Sequence, residues 1–497
     1  KRKRTGTLAT GSGHDYHYRT EAAFFGAMET ARDLMRNNPF VGQAVRRLVA
    51  NVLRDGFTLD MRTGDAGVDA AIIDDWSAWS EDAEQCDLSG EHDFRSLERL
   101  TLQSVISDGD ILTLLVESGQ LQTVEAHRLR TPKGRQRDVV HGVLLDEFRH
   151  RQGYWVTKED VDPMSPVPKL DGMTLYPAKD DDGNPLVLHH YMPDRVSQTR
   201  GYTMFAPIAD MAGQIDDLFF AQLTKAQMAA CISIFREMEG GTRIGLAGGL
   251  DETTETRPAG TTRTLGKWEP GLEVFGYAGE KLQGFSPNIP NPEFFEHAKL
   301  ILTVLAINLD LPVAVLLLDP SLTNFSGWRG AIDQARQRFR AIQRWLVGSF
   351  HRPILRWRIR RLLASDPALQ RVADAGLDVF RHVWHPPTFP YIEPTADAMG
   401  DLIQERGLLN SKRRLAAQRG IAFDDLLKEI IEDRTQIIEQ AHAAAQAINA
   451  KLGLKPPLSW RDLAQWSMPE GVTVYMDQTN RVPQLPETQG AASVPTR

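Results

Sequence analysis

A chain of 497 residues with 42% hydrophobic and 25% charged residues is too long for one ordinary core and too apolar for wholesale disorder. Its net charge of −8 excludes a generally basic, nucleic-acid-coating protein, and its length fits roughly two to four folded units. The two cysteines, Cys86 and Cys231, form neither a CxxC nor a zinc spacing, so a disulfide framework is excluded and a reducing compartment is expected.

In chain order, KRKRTGTLATGSGHDYHYRT has a basic start but no apolar h-region, so it does not read as a secretory signal. A flexible basic arm over 1–24 is expected, its charges solvated or touching nucleic acid. In RDLMRNNPFVGQAVRRLVANVLRDGF, Val41, Ala44, Val45, Leu48, Val49 and Val52 recur at helical spacing. Asn37 or Asn38 can cap that helix, with Pro39 in its first turn. Helices are predicted through IIDDWSAWSEDA and FRSLERLTLQSVISDG, then strands through DILTLLVE, LQTVEAHRL, HGVLLDEF, GYWVTK and LVLHHYM, divided by turn-rich pieces. Residues 25–202 therefore read as an α+β region.

A helix is predicted over 207–235, about 40 Å long at 1.5 Å per residue, with small residues such as Ala209, Ala212 and Gly213 that allow close approach. Residues 236–290, rich in Gly and Thr, suggest a small protruding subdomain, with LEVFGYAGEKLQGF as strand and turn. Helix returns in PNPEFFEHAKLILTVLAINLDL, with Asn291 as cap and Pro292 at the first position. The two helices are expected to run antiparallel and carry the excursion on their tips. Residues 300–318 are the most membrane-like run, but Asn308, Asp310 and Pro312 at the centre argue for a buried helix, a turn and a second buried segment.

After LDPSLTNFSG, read as a loop, Trp328, Ile332, Ala335, Phe339, Ile342 and Leu346 form a narrow seam of coiled-coil type. Residues 329–361 hold ten arginines, no lysine and one acid, Asp333; nine net positive charges here leave −17 on the remainder. Three readings stay open for this helix: a solvated face with internal ion pairs, pairing with acidic surfaces of neighbouring subunits, or contact with phosphates. The lysine-free composition leans toward planar carboxylate pairing. Pro353 is expected to break or kink the helix. A strand-like HVWHPPTFPYIEP follows, then helices through TADAMGDLIQERGLL, SKRRLAAQRG and FDDLLKEIIEDRTQIIEQAHAAAQAINAKLG, and an end without periodicity that is expected to be mobile.

Chemical motifs are sparse. GTTRTLGKW has five residues rather than four between Gly260 and Gly266, and Trp268 where a Walker loop needs Ser or Thr. His14 and His17 lie in the basic arm, and Asp108-Gly109-Asp110 and Asp180–Gly183 read as turns rather than metal sites. His189 and His190 sit in an apolar run and read as core or cross-strand residues. With no HExxH, GxSxG or GxGxxG at a strand–helix junction, no catalytic residue, metal ligand or cofactor is assigned and no enzyme is expected.

The order RDLMRNNPFVGQAVRRLVANVLRDGF, VEAHRLRTP with GVLLDEF, SQTRGYTMFAPIADM, NFSGWRGA, WHPPTFPYIEPTADA and ERGLLNSKRRLAAQRG resembles bacteriophage portal proteins of the lambda type over roughly 25–440. NFSGWRGA departs from the family's Asn-Tyr-Ser-Ser-x-Arg pattern at Gly327, and IEPTADA lacks a basic residue often found after the proline. The resemblance implies an α+β portal architecture: a flexible arm (1–24), wing (25–202), first stem helix (203–235), clip (236–290), second stem helix and following segment (291–318), tunnel loop (319–328), long wing helix and return strand (329–395), crown helices (396–470) and a flexible tail (471–497). It implies a ring, usually of twelve copies, at one capsid vertex, assembled in the host cytoplasm, through which double-stranded DNA is packaged and ejected. The implied partners are the major capsid protein, the terminase large subunit and a head–tail connector or adaptor, with no membrane. Asn324, Phe325, Ser326 and Trp328 would belong to the DNA-facing loop, and Arg329, Arg336, Arg340 and Arg344 would meet subunits, capsid or phosphate. The competing readings are another head–tail or minor capsid component, and a nucleic-acid enzyme with an unrecognised site.

Overall fold

The computed structural model describes residues 21–135, 138–160, 162, 170–237, 253–256, 262–265, 272–276, 292–319, 324–389, 394–418, 423–453 and 457–464. His14, His17, Asn291 and the expected tail lie outside these residues. The chain divides into two compact units, residues 1–420 and 421–497.

The first unit is mixed α+β. Its first helix, Glu21–Asn37, begins inside the stretch expected to be a flexible arm, because Phe24, Phe25 and Met28 give residues 21–24 an apolar face to bury. The next helix, Pro39–Leu53, has the expected stripe: Val41, Ala44, Val45, Leu48 and Val52 are buried. Asn38 Oδ1 accepts from the backbone N–H groups of Phe40 and Val41, both at 3.0 Å. Asp65 and Asp93 cap Ala66–Glu81 and Phe94–Ser107 in the same way.

A central antiparallel sheet runs Leu121–Glu125, Asp110–Leu115, Val187–Tyr191, with every residue of the middle strand buried. A second antiparallel sheet orders Val139–Val140, Val143–Leu145, Arg151–Thr157 and Met173–Pro177. Thr58–Met61 pairs antiparallel with His382–His385, joining segments far apart in sequence. One hydrophobic cluster runs through this unit from Ala31 to Trp384.

The predicted helix over 207–235 is shorter, Ala209–Cys231, and passes directly into a strand, Ile232–Glu237, paired in parallel with Leu272–Gly276. Ile232, Ile234 and Phe235 are β-branched or aromatic, and they favour the strand over a further helical turn. Thr253–Thr256 and Thr262–Leu265 form an antiparallel pair, so the described middle of GTTRTLGKW, residues 262–265, is a strand.

The second long helix spans Pro292–Asn308, and the arginine-rich helix Phe325–Leu346. Pro353 does not break this rod. A π-turn at Val347–His351 joins Phe325–Leu346 to Arg352–Ser365, with Pro353 in the first turn of the second helix. Helices Pro394–Arg406 and Lys412–Gln418 follow. The second unit holds the 30-residue helix Phe423–Leu452 and a short helix, Trp460–Ala464. Asn449 bonds both the carbonyl and the N–H of Leu458, each at 2.8 Å.

Candidate assembly interface

Three features place chemistry-bearing residues in the first unit: a buried charge junction, a helix pair with an apolar outer face, and the arginine rod.

The junction sits where the central strand meets the segment 198–202. Arg200 is fully buried and all five of its N–H donors find acceptors: both carboxylate oxygens of Asp110, and the carbonyls of Ala126 (2.8 Å), Leu129 (2.9 Å) and His141 (3.0 Å). Burial alone would raise the Asp110 carboxyl; Arg200 and His189 outweigh it and hold that carboxyl well below the usual range. His189 Nε2 lies 2.9 Å from Asp110, while burial, reinforced by Arg151, pushes its ring down to about 4. Burial and the neighbouring His189 push His190 down to about 3. Both histidines are thus cross-strand core residues, as their apolar run indicated. Asp108 and Asp110 do flank a turn, Gly109 having φ +102°, but each also holds a salt bridge, Asp108 to Arg32 at 2.5 Å. A Cβ on Gly201 would stand 1.9 Å from the Gly109 carbonyl, so these two backbones can approach only as glycines. Sequence reasoning missed the Asp110–Arg200 pair because its partners stand 90 residues apart.

The two long helices, Ala209–Cys231 and Pro292–Asn308, pack antiparallel: Phe219 meets Phe294 edge-to-face at 5.3 Å, and Asn308 donates to the Met204 carbonyl at 2.7 Å. Asn38 secures the first helix by donating to the Ala212 carbonyl and the Asp216 carboxylate, each at 3.1 Å. Ala212, Ile215, Ala298, Leu302, Leu305 and Ala306 are buried. The opposite sides are not: Phe220 is 73% exposed, Leu223 62%, Phe295 56%, Leu300 61% and Ile307 67%. Among the described residues no helix is long and apolar enough to cross a membrane.

The expected seam of the arginine rod is buried at Ala335, Phe339, Ile342 and Leu346, while Trp328 and Ile332 are half-buried. Gln343, buried beside the seam, donates to the Val52 carbonyl at 2.9 Å. The stretch 324–328, expected as loop, is instead the start of the rod: Asn324 is its N-cap, accepting from the Gly327 N–H at 2.7 Å, and Phe325 its first residue. An Asn three residues before a helical N–H satisfies a donor that a loop would leave to water. Residues 320–323 lie outside the described structure. Asn324 and Ser326 are exposed.

Of the four arginines singled out from sequence, Arg340 and Arg344 are exposed, and Arg329 and Arg336 are half-buried. Arg336 and Arg340 both stack on Phe389, at 5.2 and 5.6 Å, and Arg336 lies 3.5 Å from Asp333. Arg338 reaches Asp310 at 3.3 Å, and Arg358 pairs with Asp75 at 2.7 Å while lying over Trp79. Arg360 and Arg361 lie over Phe380 and Trp357. Stacking within the chain, a use for arginine that charge counting does not reveal, thus occupies much of the set.

The sequence model of the family described as "Phage portal protein, lambda family" matches residues 18–343. Among solved structures, a chain from the virion of a native gene transfer agent (GTA) particle aligns with 12% identity and a TM-score of 0.32, over 83% of this chain and 97% of that one. Among curated proteins no match is found. With the family match spanning well over half of its residues, the chain belongs to the lambda family of phage portal proteins.

Proposed function

We propose that copies of this chain assemble into a ring, of twelve by the family resemblance, at a single capsid vertex, and that double-stranded DNA passes through its central channel during packaging and ejection. Terminase, the major capsid protein and a head–tail connector are the docking partners in this reading. The observation that carries it is the antiparallel helix pair with Phe220, Leu223, Phe295, Leu300 and Ile307 facing solvent. Large apolar groups on both helices of a pair are an interface awaiting a neighbour, and repeating it around an axis leaves no copy uncovered.

In this assignment the helices Ala209–Cys231 and Pro292–Asn308 form the stem, the strand pairs between them the clip, the α+β region and the arginine rod the wing, and the helices after residue 395 the crown. Residues 319–328 keep their assigned place beside the DNA, with Asn324, Phe325, Ser326 and Trp328 at the rod's beginning rather than in a free loop. An acidic balance suits a conduit, because a basic lumen would bind phosphates at many points and hold the duplex.

The test is negative-stain imaging with mass photometry of the full chain. The wild type should give rings with a central hole. Phe220→Asp with Leu300→Asp, at positions already exposed in the single chain, should leave a folded monomer that forms no rings. Unchanged rings from that variant, or a wild type that stays monomeric at micromolar concentration, would refute the reading.

A further inference from the structure

Four arginines on the rod are exposed: Arg340, Arg344, Arg352 and Arg356. On a regular helix each step of four residues overshoots a full turn by about 40°, so Arg356 would lie roughly 160° around from Arg340. The π-turn at Val347–His351 accommodates an extra residue and takes back about 100°, which returns Arg352 and Arg356 to the side of Arg340 and Arg344. The result is a ridge about 22 Å long. Arg340 stacks on Phe389; Arg344, Arg352 and Arg356 meet no carboxylate among the described residues.

The same chain carries the complement. Residues 65–93 hold ten Asp and Glu and no Lys or Arg. Most of these acids are used locally: Asp65, Asp82 and Asp93 cap helices, Asp69 accepts from Thr63, Asp75 holds Arg358, and Asp87 accepts from Ser89. Asp74, Glu81 and Glu84 are exposed and meet no cation among the described residues.

We propose that the ridge Arg344–Arg352–Arg356 of one copy pairs with the acidic surface Asp74–Glu81–Glu84 of the next copy. This rests on the ring reading above and deepens it by naming what holds neighbours in register. A head-to-tail contact between identical copies uses two different patches of the same chain, and a ring closes only when each copy supplies both. Three spare guanidinium groups facing three spare carboxylates meet that condition. A phosphate backbone would satisfy the arginines and leave the acids unmatched. The Arg358–Asp75 pair over Trp79 shows the same chemistry formed inside one chain.

The experiment is a charge swap in the full chain, read by mass photometry, with circular dichroism as the folding control. Arg336 and Arg340 are left in place because they pack on Phe389. Reversing Arg344, Arg352 and Arg356 to Glu should lower the ring fraction at least about tenfold, and the milder Arg→Gln set should act in the same direction. Adding Asp74→Arg, Glu81→Arg and Glu84→Arg to the reversed chain should restore rings. The proposal is overturned if the reversed or neutralised chain forms rings like the wild type, or if the combined swap folds but does not restore them. A loss confined to binding of a random-sequence duplex, with rings intact, would overturn it in favour of phosphate. A wild type without rings would instead remove the ring reading itself, so the two failures are told apart by the first sample.

Discussion

Arg200 shows how much one side chain can organise at the residue scale. Its guanidinium joins the start of the central strand to three carbonyls, two from the turn 126–129 and one from His141, and it lies 4.8 Å from the Phe24 ring. Lysine carries three donors and no planar fork, so Arg200→Lys leaves Asp110 buried with unmet lone pairs. Breaking a buried pair in this way costs about 3–5 kcal/mol, and a lowered thermal midpoint of the full chain should report it, as it should for Asp110→Asn. The two histidines beside this junction predict an acid limit. An unfolded histidine titrates near 6.5, whereas folded His189 and His190 do so at about 4 and about 3. Below pH 6.5 the unfolded chain takes up protons that the folded one refuses. The contribution is therefore complete above about 6.5 and falls with decreasing pH by about 1.4 kcal/mol per unit for each histidine, down to its folded value. Melting curves at pH 7.5, 5.5 and 4.5 should show the decline, and His190→Gln, which can keep a bond to Thr113, should roughly halve its slope.

At the scale of the element, the rod is governed by its π-turn. Phe350 and His351 within it are buried, and His351 Nε2 lies 2.7 Å from Glu98 Oε1. Gly348 in the same turn is exposed, and a Cβ there would meet nothing within 4 Å. Gly348→Ala should therefore stabilise the protein by about 0.5–1 kcal/mol by restricting the unfolded chain, measurable as a raised thermal midpoint. The rod also shows what the sequence could disclose. Ala335, Phe339, Ile342 and Leu346 were legible because their spacing is regular. Arg352 and Arg356 were not legible as partners of Arg344, because the π-turn shifts the phase and no residue type announces it. Likewise the helix pair was readable from its apolar periodicity, but the change to strand at Ile232 lay hidden within a continuous apolar run, where helix and strand compete. Of the seven strands from Asp110 to Tyr191, five were legible from apolar runs and turn chemistry, whereas Val139–Val140 and Met173–Pro177 were not. The pairing of Thr58–Met61 with His382–His385 has no local signature at all.

At the scale of the whole molecule, net charge and its distribution decide behaviour toward DNA. The chain carries −8, and its basic excess is concentrated on the rod, where much of it stacks on the chain's own aromatic rings. The assembled protein should therefore hold random duplex no tighter than about micromolar at physiological salt, with a shallow salt slope, by fluorescence anisotropy. Nanomolar retention would contradict the proposed passage of DNA through the assembly. The strand pair that joins Thr58–Met61 to His382–His385 bears on a different stage of the protein's life. Gln343 adds a second stitch of this kind to Val52, so the large core lacks a wall until translation has passed residue 385. At about 5–20 residues per second the ribosome takes roughly 20–75 s to reach that point. Nascent chains spend that interval with an unsealed interior, so the first unit can close its core only when most of the chain has been made.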